Sequence, residues 1–237
     1  MVLDLLVPAH CAGCGTRGAP SCPGCSQVWG SLTEVVRAPV AGLAPVYALA
    51  AYQGIAKRLL IAYKERGRRD LAPSLGQAIA AALLGFPGSG PPRSPGGPAA
   101  DPTDRSSATG SVTDPRPWCL VPAPSRRSAS RLRGGPHVQL LAESAARCLA
   151  SAGVEAMVAP ALTLKGARDA VGLTRTQRIA NLSGRLRFVA AGRPPPGTRV
   201  VVLDDVVTTG ATAAACLHAL TGAGITVSAV LALLAAG

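Results

Sequence analysis

The residues with the most legible chemistry lie near the C-terminal end, in Val200-Val201-Val202-Leu203-Asp204-Asp205-Val206-Val207-Thr208-Thr209-Gly210-Ala211-Thr212. A continuous branched apolar run reads as a buried strand, Arg199 to Leu203, ending in two carboxylates. A short turn rich in Thr and Gly follows, and then an Ala-rich helix from Thr212 to Leu220. Neighbouring carboxylates repel phosphate but accept hydrogen bonds from sugar hydroxyls, and they can hold a hydrated Mg²⁺ indirectly. Gly210 lets the backbone come close to an anion, and the helix start presents free N–H groups to it. Thr208, Thr209 and Thr212 add hydroxyl donors. Hydroxyl acceptors on one side and an anion cradle on the other fit a sugar 5-phosphate. The stretch is not a P-loop, because no Gly-Lys-Ser/Thr follows it.

A second anion element is expected after Trp118–Val121, a strand that runs into Pro122. Ala123, Pro124, Ser125, Arg126 and Arg127 form a Pro-constrained turn ending in two arginines, whose forks suit phosphate oxygens. A solvated basic turn would look the same.

The N-terminal stretch carries a different chemistry. Cys11-x-x-Cys14 and Cys22-x-x-Cys25 are two thiolate knuckles seven residues apart. Two such knuckles complete a tetrahedral Cys₄ shell for Zn²⁺, which would be structural because no ligand position stays open. A redox pair or an Fe–S site are the alternatives, and His10 is a substitute ligand. Cys119, Cys148 and Cys216 stand alone in apolar surroundings and read as buried small hydrophobes in a reducing compartment.

The elements that must position these groups follow from periodicity. The chain has 237 residues, and hydrophobic residues at 48% exclude a wholly disordered chain. Aromatics at 3% leave too few rings for a base-stacking platform. Residues 1–30 hold the cysteine module. Within the next unit, 31–86, residues 45–85 read as mixed and then helical, with Leu75, Ile79, Ala82 and Leu83 on one face of a helix from Leu71 to Leu84. Residues 87–117 contain 18 Pro, Gly or Ser among 31 and read as a disordered insert. Residues 118–237 alternate strands and helices in an α/β pattern. Further expected elements are a helix over 137–151, a strand over 154–158, a short helix over 176–182 and a strand over 225–233. The uncharged stretch from Val206 to Gly237 is interrupted too often by Thr, Gly and Ser to read as a membrane span. No membrane insertion and a cytoplasmic location are expected.

The acidic pair and its turn closely resemble the phosphoribosyl pyrophosphate (PRPP) motif of type I phosphoribosyltransferases. The chain as a whole resembles the ComF family, competence-associated proteins of phosphoribosyltransferase type. Leu5-Leu6-Val7-Pro8 followed by the double C-x-x-C carries the resemblance at one end. Tyr52-Gln53-Gly54, Lys64, Val121-Pro122-Ala123-Pro124, Arg133-Gly134-Gly135, Asp169-Ala170-Val171-Gly172-Leu173, Arg178 and Asn181-Leu182 carry it onward to the PRPP motif. The chain departs from the family at Gly134-Gly135-Pro136-His137, where Gly-Phe-Asn-Gln is common, and at Asp169, where Gln is common.

The resemblance implies a type I phosphoribosyltransferase fold: a five-stranded parallel sheet with flanking helices, a hood that begins within 31–86, and an N-terminal zinc module. It implies that Asp204 and Asp205 hold the ribose hydroxyls and that Thr208, Thr209, Gly210, Ala211 and Thr212 hold the 5-phosphate. Ala123–Arg127 would take the pyrophosphate, with Mg²⁺ accompanying PRPP. The implied activity is phosphoribosyl transfer to an unidentified acceptor. The alternative is a DNA-handling accessory protein for DNA uptake. Its partners would be single-stranded DNA and competence or helicase proteins. The net charge of +12, the cations Lys57, Arg58, Lys64, Arg66, Arg68 and Arg69, and the Arg126–Arg133 run would contact phosphates.

Overall fold

The computed structural model describes residues 10–30, 32–86, 116–124, 136–164 and 185–237. The pattern that dominates it is the triplet of valines in β7 (Arg199–Val207), a strand buried on both faces as only a central strand can be. Parallel neighbours flank it: β3 (Trp118–Pro122) on one side and β8 (Ala229–Ala235) on the other. Beyond them lie β4 (Ala156–Val158) and β2 (Val46–Ala51), also parallel. The two-residue β1 (Thr33–Glu34) closes the edge antiparallel, giving the order β1-β2-β8-β7-β3-β4. Five parallel strands with one short antiparallel edge strand therefore make the central sheet. A separate ribbon pairs β5 (Leu162–Leu164) with β6 (Leu186–Phe188).

Each face of the sheet has its own helical cover. On one face lie α2 (Gly54–Glu65), α3 (Ala72–Leu84) and α4 (His137–Ser151), whose Leu59, Leu60, Leu75, Ile79, Leu141 and Leu149 pack on Val201 and Leu203. On the other face α5 (Ala211–Thr221) packs Ala213, Cys216, Leu217 and Leu220 on Val200, Val202 and Val230. The small cysteine module, with its single-turn α1 (Pro23–Ser26), joins the first of these layers through Cys11 and Cys25. At the opposite end of β7 the Arg199 guanidinium lies 3.8 Å from the Trp118 ring centroid, a stacked pairing that tolerates burial of the cation.

Several boundaries differ from those read in the sequence, each for a tertiary reason. The helix over 137–151 has the expected ends. The strand expected to stop at Leu203 runs on to Val207, because Asp204 and Val206 pair with Ala232 and Leu234 of β8. The strand expected over 225–233 is shifted to Ala229–Ala235, since the turn through Gly224 (φ 76°) delays its entry to the sheet. The strand over 154–158 is shortened to its last three residues. Cys119 and Cys216 are buried as expected, whereas Cys148 is only half-buried on α4. The 176–182 helix and the 87–117 insert, apart from Arg116 and Pro117, lie outside the described residues. Among the described residues no helix is long and apolar enough to cross a membrane.

The α3–α4 crossing provides a stability test. Gly76 sits so close to α4 that a Cβ built on it would lie 2.5 Å from Ser144 Oγ and 2.8 Å from the Ser144 carbonyl carbon. An ordinary Gly→Ala change inside a helix gains up to ~1 kcal/mol. Gly76→Ala is expected to do the reverse and cost about 1–3 kcal/mol, because backbone must move to admit the methyl group. Urea unfolding at constant m-value measures the sign.

Candidate functional site

The sheet order places a natural crevice. From β3 the chain moves outward to β4, then returns to the other side of β3 as β7. The connection after β3 leads to α4 on one face, and the turn after β7 leads to α5 on the other. The carboxyl ends of β3 and β7 therefore diverge at a topological switch point, where open α/β sheets bind ligands.

The sequence-predicted residues gather there. Ala123 donates its N–H to the Leu203 carbonyl at 2.8 Å, which lays residues 123–124 beside the strand that carries the acidic pair. Ala123 is buried and Pro124 half-buried; Ser125, Arg126 and Arg127 lie outside the described residues. Thr208 is exposed at the end of β7, and Gly210 is the residue before α5. Gly210 has φ 81°, a conformation that favours glycine, and a Cβ on it would come within 3.0 Å of Arg37 Cβ. Thr209 Oγ1 accepts the Ala211 N–H at 3.3 Å, and Thr212 lies half-buried in the first helical turn.

Arg37 fixes this turn from outside. Its Nε donates to the Thr208 carbonyl at 2.8 Å and its Nη2 to the Ala236 carbonyl at 2.6 Å. The Thr208 carbonyl at the base of the turn thereby points toward Arg37. Sequence reasoning did not single out Arg37, whose partners lie at the far end of the chain.

The two carboxylates have different surroundings. Alternation along β7 sends Val201, Leu203 and Asp205 toward α2 and α4, and Val200, Val202 and Asp204 toward α5. Asp205 is 5% exposed, and both Lys64 Nζ (2.5 Å) and His137 Nε2 (2.7 Å) meet its Oδ2. Burial opposes ionising Asp205, but the His137 hydrogen bond and the Lys64 charge outweigh it and hold the carboxyl at about 2. Asp204 is half-buried, and its Oδ1 accepts the Asp205 N–H at 2.8 Å. Burial, and then the adjacent Asp205 charge, push its carboxyl well above the usual range.

Supports behind this pair are local and specific. The Tyr63 hydroxyl donates to the His137 carbonyl at 2.7 Å, tying the end of α2 to the start of α4. Burial pushes the Tyr63 phenol up to about 12, so it remains a donor. His137 Nδ1 is buried with no hydrogen-bond partner among the described residues. The sequence offered Lys64 as part of a family resemblance and of a basic cluster, and His137 as a helix start and a departure from a family pattern, with nothing to join either to Asp205; His137 and Asp205 are 68 residues apart.

The cysteine module brings together the ligands expected of it. The four Sγ atoms of Cys11, Cys14, Cys22 and Cys25 all lie within 4.8 Å of one another, with Cys14 and Cys22 at 3.6 Å. Zn–S bonds of about 2.3 Å in a tetrahedron set sulfur neighbours about 3.8 Å apart, so the donor set fits. Although burial opposes it, backbone N–H groups of Cys22, Cys14 and Gly13 lower Cys11 to about 6, toward the thiolate a metal needs. Burial and the neighbouring thiols push Cys25 up, a cost that a bound cation would remove. His10 is not in the cluster. A Cβ on Gly13 would lie 2.7 Å from Cys25 Sγ, so the second knuckle closes against this glycine.

The basic cluster read as a phosphate-binding face is largely engaged within the fold. Arg58 Nε donates to the Gly13 carbonyl at 2.7 Å, and Arg68 pairs with Asp70 and reaches the His10 carbonyl. Lys64 is on Asp205, Lys57 lies over the Tyr52 ring and Arg69 over the Tyr63 ring. A groove of about 610 Å³ between Trp29 and the Ala78–Ala82 face of α3 has no titratable side chain in its lining.

A scan against protein-family models finds no match, and no curated protein matches the chain. The chain is an α/β protein with a mostly parallel sheet, flanking helices and an N-terminal four-cysteine cluster that could hold a metal such as zinc.

Proposed function

We propose that the chain binds PRPP with Mg²⁺ at the β3–β7 crevice, as a phosphoribosyltransferase-like protein of the ComF kind. The observation that carries this reading is the meeting of three elements at one switch point. They are the acidic pair, the Thr208–Thr212 turn opening α5, and Ala123 and Pro124 beside them at the end of β3. In this reading the amides and hydroxyls of 208–212 take the 5-phosphate and the pentose hydroxyls lie at the acidic end of β7. In this reading residues 123–127 take the pyrophosphate, which Mg²⁺ accompanies. Transfer would pass through a ribosyl cation-like state as pyrophosphate leaves, and the protein would act by positioning and charge stabilisation. The acceptor is a nucleophile of unassigned class. Zinc in the cysteine cluster is structural in this reading, and seven free cysteines suit a reducing cytoplasm.

The reading of the chain as a single-stranded DNA binder draws less support, because five of the six cations it invokes between Lys57 and Arg69 already have partners inside the fold. Thermal shift with PRPP and Mg²⁺ tests the proposal. At about a hundred times the dissociation constant, binding should add about 2.7 kcal/mol of stability. The Asp204→Asn/Asp205→Asn double variant should show no shift. An unshifted wild type would reject PRPP.

A further inference from the structure

The two neighbouring acids differ in the face of β7 they occupy and in the partners they meet. Asp205 lies on the α2–α4 side, buried, with Lys64 Nζ and His137 Nε2 on the same oxygen. Asp204 lies on the α5 side, half-buried, at the strand end from which the Thr208–Thr212 turn departs. The direct hydrogen bonds and ion pairs described for Asp204 include no cation. We infer that the acids divide the work: Asp204 is the sugar contact, and Asp205 is a positioning residue clamped by Lys64 and His137. This rests on the pentose-phosphate reading and assigns its roles residue by residue.

Geometry argues for the division. A carboxylate that meets the hydroxyls of a passing ligand needs acceptor capacity on its open side. Asp205 Oδ2 already receives two donors and the residue is 5% exposed, which leaves a sugar hydroxyl little access to this carboxylate. Both donors stand on helices held by the core: Lys64 near the end of α2, and His137 at the first residue of α4. The Tyr63 hydroxyl joins those two helices at the His137 carbonyl. The clamp therefore fixes the end of β7 against two helices, and the backbone N–H of Asp205 in turn orients the Asp204 carboxylate through Oδ1. Truncating Asp205 should loosen that orientation without removing the sugar's own acceptor.

The test uses the full chain, with ribose 5-phosphate and inorganic phosphate as separate calorimetric probes. Their affinity ratio reports the sugar contact, a quantity that general loosening does not single out. Wild type should prefer ribose 5-phosphate. Asp204→Asn should lose that preference by about ten-fold or more while its phosphate affinity stays near wild type. In the Asp205→Asn/Lys64→Met double variant, which leaves no unpaired buried charge, both affinities should fall together and their ratio stay within about three-fold. Should that variant not fold, His137→Gln, which retains a donor toward Asp205, is read in the same way. Collapse of the ratio in either clamp variant, or its persistence in Asp204→Asn, overturns the division of roles. A wild type that binds ribose 5-phosphate no better than phosphate rejects the pentose reading itself, and the division with it.

Discussion

Removing the metal from the Cys11–Cys14–Cys22–Cys25 cluster is expected to lower the melting temperature by about 10 °C or more, on the scale of ~2–4 °C per kcal/mol for a chain of this size. The purified protein should carry one zinc ion per chain, and a strong chelator or Cys11→Ser should release it. The effect is large because the module is too small to hold itself together. Its residues are turns and one four-residue helix, and two of its sulfurs, Cys11 and Cys25, are buried in the main core cluster. Without a cation, four thiols within 4.8 Å of one another must stay protonated or repel. The damage reaches α2, because Gly13 lies against Ile55 and accepts from Arg58. Metal analysis paired with a thermal scan checks this. Retention of wild-type melting in the metal-free protein would show that the cluster plays no structural part.

The second large effect concerns the buried clamp. Asp205→Ala is expected to cost about 3–5 kcal/mol, since it leaves the Lys64 ammonium against His137 with its counter-charge gone. Lys64→Met alone should also destabilise, and Asp205→Asn with Lys64→Met should cost clearly less than the sum of the two single changes. The pH dependence follows from the same geometry. In the fold Asp205 is held at about 2, whereas an unfolded aspartate titrates near ~3.9. Its contribution is therefore fully present above about pH 4 and is lost as pH falls through about 2. Asp204 acts in the opposite sense: its folded carboxyl is raised, so its contribution erodes as pH climbs above the unfolded value. Urea unfolding from pH 2 to 5 should show a rising limb in wild type that Asp205→Asn flattens. An unchanged limb would mean that Asp205 carries no special pairing.

Much of the crevice was legible from local sequence because its parts are local. A branched apolar run, two acids and a Thr-Gly turn occupy consecutive positions, and the register of β7 then fixes where they fall. The same holds for α4, whose Val138, Leu141, Ala142, Ala145 and Leu149 recur with the helical period. The inequality of the acids was not legible. It depends on Lys64 and His137, which reach Asp205 only after α2 and α4 pack on the same face of the sheet. The extension of β7 through two carboxylates was hidden for a related reason. Charged residues read as a strand end, yet the Lys64 and His137 partners make Asp205 compatible with burial. The placement of β2 beside β8 joins distant segments, and no local pattern announces it.

A crystal structure of the protein with PRPP and Mg²⁺ tests the central reading most directly. It should show the 5-phosphate against the amides of residues 209–212, with the pentose hydroxyls at Asp204 and Lys64 still on Asp205. Ligand bound away from the β3–β7 crevice, or a phosphate-free 208–212 turn in crystals grown at saturating PRPP, would contradict it.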